Sequence, residues 1–538
     1  MTAATAPLPQ LASPSQLPAA LEAWRQALGS DNVLASDADC QRYAQTTLPS
    51  APRPAGIVRP ASTHEVQQAV KIAARFGIGL HAISRGKNWG YGDMCPGAPG
   101  EVIVDLRRMD RIVEVHEDLA YAVVEPGVSQ GQMHEHLLST GSRLMLDVTG
   151  AGPTASIVGN TLQRGFGHTP YGDHFAHCCN LEVVLPSGEI INTGFGRFPN
   201  AQAAHVFKWG LGPHIDGLFT QSNAGIVTRM TIHLMPRSPV IEAFAMRLTE
   251  EQLAEAVEIL RELRLADVVR STVHIGNDLR VLSSRERFRE AVANAPCPLP
   301  DELRTALRQQ AGLGCWNMFG GLYGEKPLRR GTRQVVRRAF ARLGRVVFFN
   351  RAKLQWGQKV ASRLQRLRFG RRLQETLEGA SGAFELLEGV PTSEHLRGVG
   401  WRSPNAPDVE SIRHAGLMWF SPVLPMTASA ANDVVAQVEA LSSQHGFDAL
   451  MTLSAVSPRA MCCVISIHYA KSDATETKRA EQFYRALSDE LGSSGYLPYR
   501  TRPTTTPSPL IPANLNSLGV DFGRAPEREA DRVAARSL

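Results

Sequence analysis

Apolar positions at helical spacing, followed by short apolar runs, make up the first half of the chain. Between residues 61 and 76 the apolar positions 66, 69, 70, 72 and 73 predict a helix, and the run Ser-Thr-His-Glu at 62–65 resembles a capping box. Short runs rich in β-branched residues then predict strands, and Pro-Ser-Gly at 186–188 predicts a hairpin between the last two. The predicted strands cover 102–106, 112–115, 122–124, 181–185 and 190–192.

A proline-marked boundary at 235–239 (Met-Pro-Arg-Ser-Pro) ends this pattern. A periodic helix at 249–265 opens a second segment that runs to about residue 495. Two strand-plus-helix units on one sheet would suit a ferredoxin-like domain here. The chain is therefore predicted to be an α+β protein with more than one domain, which its 538 residues also indicate. The elements of the second segment are predicted strands at 271–275, 416–421 and 461–468 and helices at 428–443 and 475–491.

Composition and charge exclude several classes of protein. The chain is 43% hydrophobic with a formal net charge of +6, and it has no apolar run of 18 residues, so we predict a cytoplasmic protein without a membrane span. Residues 1–16 lack a signal-peptide pattern and are predicted to be a disordered tail. Basic residues concentrate at 329–372, either as a solvated helical face or as a contact for an acidic partner. They are not interleaved with aromatic residues, so nucleic-acid binding is not predicted.

The eight cysteines do not indicate a metal centre. None has C-x-x-C spacing, and the adjacent pairs at 178–179 and 462–463 would form strained disulfide rings. We therefore expect neither a zinc site nor a disulfide framework.

The stretch from residue 81 to residue 93 carries the first candidate chemistry. It combines Arg85 and Lys87 with glycines at 86, 90 and 92. Glycine lets the backbone approach an anion, successive N–H groups point towards that anion, and the two cations offset its charge. This turn therefore predicts a pyrophosphate site, although the G-x-G-x-x-G fingerprint of a Rossmann site is absent.

Further motifs follow this turn in an order that identifies a family. They are Asn-Trp-Gly-Tyr-Gly at 88–92, Ile-Val-Gly-Asn-Thr at 157–161, Gly-His-Thr-Pro-Tyr-Gly-Asp-His at 167–174, Pro-His-Ile-Asp-Gly-Leu-Phe at 213–219 and Met-Trp-Phe-Ser-Pro at 418–422. From about residue 50 to about residue 500 the chain resembles the vanillyl-alcohol oxidase/p-cresol methylhydroxylase family of flavoproteins, especially its 4-alkylphenol branch. The resemblance implies a lead-in at 1–45, an FAD-binding domain of two α+β subdomains at 46–239, a cap domain at 240–495 and a C-terminal return with a divergent tail at 496–538.

The same resemblance implies the residues of the site. Tyr91, Tyr499 and Arg500 match positions that jointly hold a phenolate oxygen, and a permanently charged arginine with two tyrosyl donors suits such an anion. Tyr171 could equally serve packing. The residues implied to contact FAD are Ser84, Arg85, Gly86, Lys87, Asn88, Pro126, Gly127, Val128, Ser156, Gly159, Asn160, Gly167, Tyr171, Glu182, Ile226 and Val227.

The chain departs from the family at the flavin anchor. Relatives with covalent flavin attach it to a histidine where Leu417 stands, or to a tyrosine where this chain has residues 408–410 (Asp-Val-Glu). His414 is displaced by three positions. An apolar leucine cannot form the bond, so non-covalent FAD is expected.

Two further departures concern proton transfer and the chain end. Thr452 stands where relatives have a glutamate, and residues 461–463 read Met-Cys-Cys where they have Met-His-His, which removes the obvious general base. Asp147 lies near the expected ring, but the loop after it differs in length. After Arg500 the usual family ending is missing.

Three functions are left open. The leading interpretation is an FAD-dependent oxidoreductase that removes a hydride from the benzylic carbon of a para-substituted phenol through a quinone methide. The alternatives are an FAD-dependent oxidase or dehydrogenase of a larger biosynthetic metabolite, and a catalytically degenerate flavoprotein. The resemblance further implies a small phenolic substrate, oxygen or a cytochrome as electron acceptor, and a homodimer.

Overall fold

The computed structural model describes residues 16–285, 288–364, 368–399, 401–402 and 411–502. The predicted tail up to residue 15, the segment 408–410 and the divergent end after residue 502 lie outside these ranges. Within them, no helix is long and apolar enough to span a membrane.

The described residues contain fourteen α-helices and nineteen strands. The helices are α1 (Leu17–Leu28), α2 (Asp37–Tyr43), α3 (Thr63–Phe76), α4 (Gln130–Ser139), α5 (Ile157–Leu162), α6 (Gln252–Leu265), α7 (Asp278–Ser283), α8 (Arg289–Ala293), α9 (Asp301–Ala311), α10 (Lys326–Ala339), α11 (Arg351–Arg363), α12 (Arg368–Leu387), α13 (Ala428–His445) and α14 (Ala474–Ser493). The strands are β1 (Val33–Leu34), β2 (Gly56–Val58), β3 (Leu80–Ile83), β4 (Val102–Asp105), β5 (Ile112–His116), β6 (Tyr121–Val124), β7 (Leu144–Met145), β8 (Cys178–Val184), β9 (Ile190–Asn192), β10 (Ile226–His233), β11 (Met235–Pro236), β12 (Glu242–Leu248), β13 (Val273–Asn277), β14 (Trp316–Leu322), β15 (Val347–Phe349), β16 (Gly416–Phe420), β17 (Val423–Pro425), β18 (Leu450–Ala455) and β19 (Ala460–Tyr469).

A four-stranded sheet in the order β1-β2-β4-β3 forms the first layer. Helix α3 starts where the capping pattern predicts it, because the Ser62 side chain accepts from the Glu65 amide and the Glu65 carboxylate accepts from the Ala61 amide. The apolar stripe of α3 packs on this sheet together with Trp24 of α1. Residues of the predicted lead-in therefore share a core with this sheet, while the domain boundaries themselves stay a prediction.

A five-stranded antiparallel sheet in the order β5-β6-β10-β8-β9 forms the second layer. The predicted hairpin is confirmed, since β8 pairs with β9 across residues 185–189. The strand runs predicted in this region correspond to β4, β5, β6, β8 and β9, with end points that differ by up to three residues.

An eight-stranded sheet forms the third layer, with a path of β15-β12-β14-β13-β18-β19-β16 and β17 paired to β19. Strands β12 and β13 are both antiparallel to β14 and are connected through α6, so they form a split β-α-β unit. Strands β16 and β18 are likewise both antiparallel to β19 and are connected through α13, so they form a second unit of this kind. The two units join through β13 and β18. The predicted α+β architecture with a cap of two strand-plus-helix units on one sheet is confirmed.

Helices α6, α13 and α14 cover one face of this large sheet. Leu260 of α6, Val438 of α13 and Phe483 of α14 are completely buried against it. The other face is turned towards the first two layers, and the main cavity of the protein lies there.

The basic run at 329–372 is partly tied into the fold. Arg329 and Arg333 of α10 pair with the buried Glu242 at 3.3 and 3.1 Å. Arg351 pairs with Glu388. Arg329 and Arg333 thus tie α10 to β12, and Arg351 ties α11 to the end of α12.

Candidate functional site: a deep cavity under the cap sheet

A cavity of about 2370 Å³ separates the cap sheet from the two smaller sheets. Side chains from alternate positions of the cap strands line it, because successive residues of a strand point to opposite faces. On β16 and its extension these are Leu417, Trp419 and Ser421. The volume exceeds the roughly 300–1,000 Å³ of an ordinary ligand pocket, which leaves room for a dinucleotide and a substrate together.

The glycine-rich turn after β3 forms one end of this cavity. Gly86 has a φ of +62°, and a Cβ there would come within 2.0 Å of the Met94 side chain, so glycine is required. Burial, with the nearby Arg107, lowers the pKa of Arg85 from its usual range. The buried Trp89 Nε1 has no hydrogen-bond partner among the described residues. A desolvated cation and an unpartnered donor fit a bound pyrophosphate, as the sequence predicts.

Most of the predicted FAD contacts line the cavity. Ser156 links two of the segments, because its hydroxyl donates to Pro126 O at 2.6 Å and accepts from the Gly159 amide at 2.9 Å. A Cβ on Gly159 would meet the Ser84 hydroxyl at 2.8 Å, so the start of α5 touches the glycine-rich turn. The predicted contacts at the cavity wall are Ser84, Arg85, Gly86, Lys87, Asn88, Pro126, Ser156, Gly159, Asn160, Ile226 and Val227.

Five predicted contacts do not line the cavity and have other structural partners. Gly127 lies against the backbone, since a Cβ there would meet Arg107 O at 2.6 Å. Gly167 lies against the carboxylate of Asp147, which leaves no room for a side chain. Tyr171 stacks on His177 with ring centroids 4.1 Å apart, which is the packing alternative. The other two are Val128, completely buried in the core, and Glu182, whose carboxylate accepts from Thr63 and Thr228.

The three predicted phenolate-binding residues come together at the cavity wall, next to the end of the glycine-rich turn. The Arg500 guanidinium lies 3.8 Å from the ring centre of Tyr91 and 5.2 Å from that of Tyr499. Arg500 Nη1 donates to Asn88 Oδ1 at 3.2 Å, while its buried Nε has no partner among the described residues. Ser421, which the motif analysis does not single out, forms a 2.7 Å hydrogen bond with the Tyr91 hydroxyl.

Backbone contacts hold the chain segment that carries Tyr499 and Arg500. The Tyr499 amide donates to Ser421 O at 3.2 Å, and the Tyr499 carbonyl accepts from Gln221 Nε2 at 3.0 Å. The Val423 amide donates to Leu497 O at 2.9 Å. The segment thus bridges the cap sheet and the first half of the chain.

Electrostatics in this cluster favours neutral tyrosines beside a charged arginine. Burial raises the pKa of both Tyr91 and Tyr499, so each keeps its proton at neutral pH. Burial alone would lower the pKa of Arg500, but the neighbouring Tyr499 and Tyr91 hydroxyls outweigh it and the pKa rises. The cluster therefore offers hydroxyl donors and one permanent positive charge to an anionic oxygen.

The positions where the chain departs from the family contain no ready base. Burial raises the pKa of the Cys462 thiol, which stays protonated at neutral pH. Thr452 lines the cavity with an unionisable hydroxyl. The Asp147 carboxylate is held by His174 Nε2 at 2.6 Å and by the His168 and Thr169 amides, off the cavity wall.

His274 on β13 is a cavity residue that the sequence does not reveal. Its Nδ1 lies 2.9 Å from the Ser454 hydroxyl across the β13–β18 ladder, and its Nε2 has no partner among the described residues. Burial lowers its pKa to about 4, so the imidazole is neutral at pH 7. Successive side chains of β13 alternate between its two faces. The face that His274 occupies can be assigned only once the strand that pairs with β13 is known.

Comparisons with known proteins agree with this geometry. A family model described as FAD binding domain matches residues 54–194. The chain is 36% identical to 1'-carboxy-chondrochloren decarboxylase of Chondromyces crocatus over 94% of this chain and 93% of that protein. It is 32% identical to the flavoprotein subunit of 4-cresol dehydrogenase [hydroxylating] of Pseudomonas putida, covering 92% of this chain and 89% of that one. The solved structure of p-cresol methylhydroxylase with substrate bound matches with a TM-score of 0.82 at 32% identity, over 93% of this chain and 92% of that one. The chain thus belongs to the vanillyl-alcohol oxidase/p-cresol methylhydroxylase family of FAD-dependent oxidoreductases.

Proposed function

We propose that this oxidoreductase removes a hydride from the benzylic carbon of a para-substituted phenol. The observation that supports this most directly is Arg500, whose Nε is buried without a partner among the described residues and whose guanidinium lies 3.8 Å from the ring centre of Tyr91. A buried cation without an anion is costly, so the cluster favours a ligand that brings a negative oxygen.

Each residue of the cluster has a distinct part in this proposal. Arg500 lowers the pKa of the bound phenol, and the Tyr91 and Tyr499 hydroxyls donate to the resulting phenolate. Ser421 orients Tyr91 through their 2.7 Å hydrogen bond. The electron-rich ring then releases the benzylic hydride and becomes a para-quinone methide. FAD, when bound, supplies the hydride acceptor.

A second candidate, oxidative decarboxylation of a larger phenolic acid, is favoured by the residues that replace the family base. Thr452 and the protonated Cys462 cannot take a proton from water at neutral pH, so water addition lacks its usual assistance. A quinone methide with a carboxylate on the adjacent carbon can react by another route, which is decarboxylation. The carbon–carboxylate bond breaks, CO₂ leaves, and its electron pair forms a C=C bond while the ring returns to a phenolate. The relative from Chondromyces crocatus is named as a decarboxylase, which supports this route.

Anaerobic mixing with matched substrates tests the phenol requirement. We expect 4-ethylphenol to bleach the flavin absorbance near 450 nm, whereas 4-ethylanisole, its O-methyl ether, does not, because the ether cannot become a phenolate. The measurement is the stopped-flow rate of flavin reduction for the two compounds. Equal rates for the phenol and the ether would exclude a phenolate mechanism.

We also predict that FAD is held without a covalent bond. Leu417 is completely buried and lines the cavity where relatives carry the linking histidine, and the exposed His414 lies off the cavity wall. Precipitation with trichloroacetic acid is therefore expected to release all the flavin into the supernatant. A fluorescent protein pellet would show a covalent link and contradict this prediction. Without that electron-withdrawing bond, the flavin potential is expected to lie below that of covalent relatives.

A further inference from the structure

Arg280, in the first turn of α7, is a further cavity-lining cation, and it has no acidic partner among the described residues. Its Nη1 donates to the Ser283 hydroxyl at 3.2 Å, and no carboxylate of the described residues lies within ion-pair distance. The nearest acidic residue along the helix, Asp278, is fully engaged by Arg304 at 2.7 Å and Arg308 at 3.3 Å. Burial lowers the pKa of Arg280, with no opposing contribution from an acid.

The position of Arg280 connects it to the phenolate cluster through Trp419. The Arg280 guanidinium lies 5.9 Å from the Trp419 ring centre. Trp419 also packs against Gly90, the residue before Tyr91, so tightly that a Cβ there would come within 2.0 Å of the indole. Trp419 therefore lies next to both Arg280 and the glycine that precedes Tyr91, and Arg280 and Arg500 line the same cavity.

Arg280 lies among residues of the cap sheet and not beside the glycine-rich turn. A Cβ on Gly276 would lie 3.7 Å from the Thr452 hydroxyl and 3.9 Å from Arg280 Cγ, which sets Arg280 beside the position where relatives have a glutamate. A glutamate at position 452 would neutralise a nearby guanidinium, and threonine leaves its charge uncompensated. The pyrophosphate site at residues 84–88 lies on another element and has its own cations.

We infer that Arg280 binds a carboxylate of the substrate, which makes the substrate a para-substituted phenol that also bears a carboxylate. This inference rests on the proposed phenol oxidation and names its substrate class. A guanidinium presents a planar fork that matches a carboxylate, and Ser283 fixes one of its donors in place. The inference concerns binding, so it holds whether the reaction keeps the carboxylate or releases it as CO₂.

Binding to the dithionite-reduced holoenzyme tests this without turnover. The probes are N-acetyl-L-tyrosine and N-acetyl-L-tyrosinamide, which share the phenol and the benzylic carbon and differ only in carboxylate against neutral amide. We expect isothermal titration calorimetry to give at least about tenfold tighter binding of the carboxylate to the wild type, since charge-assisted hydrogen bonds are about twice as strong as neutral ones. In Arg280→Gln the ratio of the two dissociation constants should fall to about one, and in Arg280→Lys it should be intermediate.

Arg247→Gln is the matched control, because Arg247 is a cavity-lining but exposed arginine on β12. It should keep the wild-type ratio, and the FAD content of each variant reports its folding. A wild-type ratio near one, or a ratio unchanged by Arg280→Gln, overturns the inference. A lowered flavin potential in Arg280→Gln with an unchanged ratio would instead assign the guanidinium to the flavin. Failure of phenol oxidation would show separately, as an absence of flavin reduction by 4-ethylphenol.

Discussion

Arg500→Ala is expected to slow anaerobic flavin reduction by 4-ethylphenol by about 10²- to 10³-fold or more, the usual cost of removing a group that stabilises developing negative charge. Without the guanidinium, the two neutral tyrosines face a buried phenolate alone, and its pKa rises. FAD binding should survive, because Arg500 reaches the flavin-side turn only through Asn88. Stopped-flow reduction rates and the bound FAD content measure the two effects separately.

Two variants make this result specific. Arg500→Lys keeps the charge but loses the planar fork, so it should recover only part of the rate. Arg502→Ala is the matched control, because Arg502 lies two residues further along and its guanidinium lies over the ring of Tyr484, 4.2 Å from the ring centre, instead of over Tyr91 or Tyr499. The phenolate role is wrong if Arg500→Ala reduces flavin at the wild-type rate, or if both alanine variants lose activity equally.

Asp278→Ala is expected to cause the largest loss of stability. The Asp278 carboxylate is completely buried at the start of α7 and pairs with both Arg304 and Arg308. Its removal leaves two partly buried arginines without an anion, and breaking a buried pair in this way costs about 3–5 kcal/mol. For a domain of about 150–250 residues, this loss in the free energy of unfolding corresponds to a fall of roughly 6 °C or more in the thermal midpoint. Circular dichroism of the holoenzyme measures that midpoint.

Asp37→Ala provides the comparison, because Asp37 forms an even shorter contact with Arg53, 2.6 Å, but its side chain is fully exposed. Removing this surface pair should cost no more than about 1 kcal/mol. Similar losses in the two variants would mean that burial does not decide the strength of these pairs.

Local features of the fold could be predicted from the chain because they depend on neighbouring residues. Helix α3 and its Ser62 cap follow from spacing within one turn, and the β8–β9 hairpin follows from three turn residues. The same holds for the glycine-rich turn, where one short stretch contains the glycines and both cations.

The cap sheet and much of its site could not be predicted because they depend on distant pairing. His274 meets Ser454 across strands that lie 180 residues apart, and no periodicity encodes that register. Arg280 gives a further example. The nearby Asp278 is bound by arginines 26 and 30 residues after it, and neither this pairing nor the position of Arg280 at the cavity follows from the local sequence. Five predicted FAD contacts do not line the cavity for a related reason, since the same residue types also serve packing and hydrogen bonding within the fold.

The segment that carries Tyr499 and Arg500 has a thermodynamic consequence beyond substrate activation. It is held by a few hydrogen bonds to Ser421, Val423, Gln221 and Asn88, and it closes the cavity against residues more than 270 positions earlier in the chain. A ligand that binds Arg500 must stabilise this attachment by the same free energy by which the attachment improves ligand binding. Occupancy of the cavity and attachment of this segment are therefore thermodynamically linked, and we expect the attachment to be most stable when a ligand is bound.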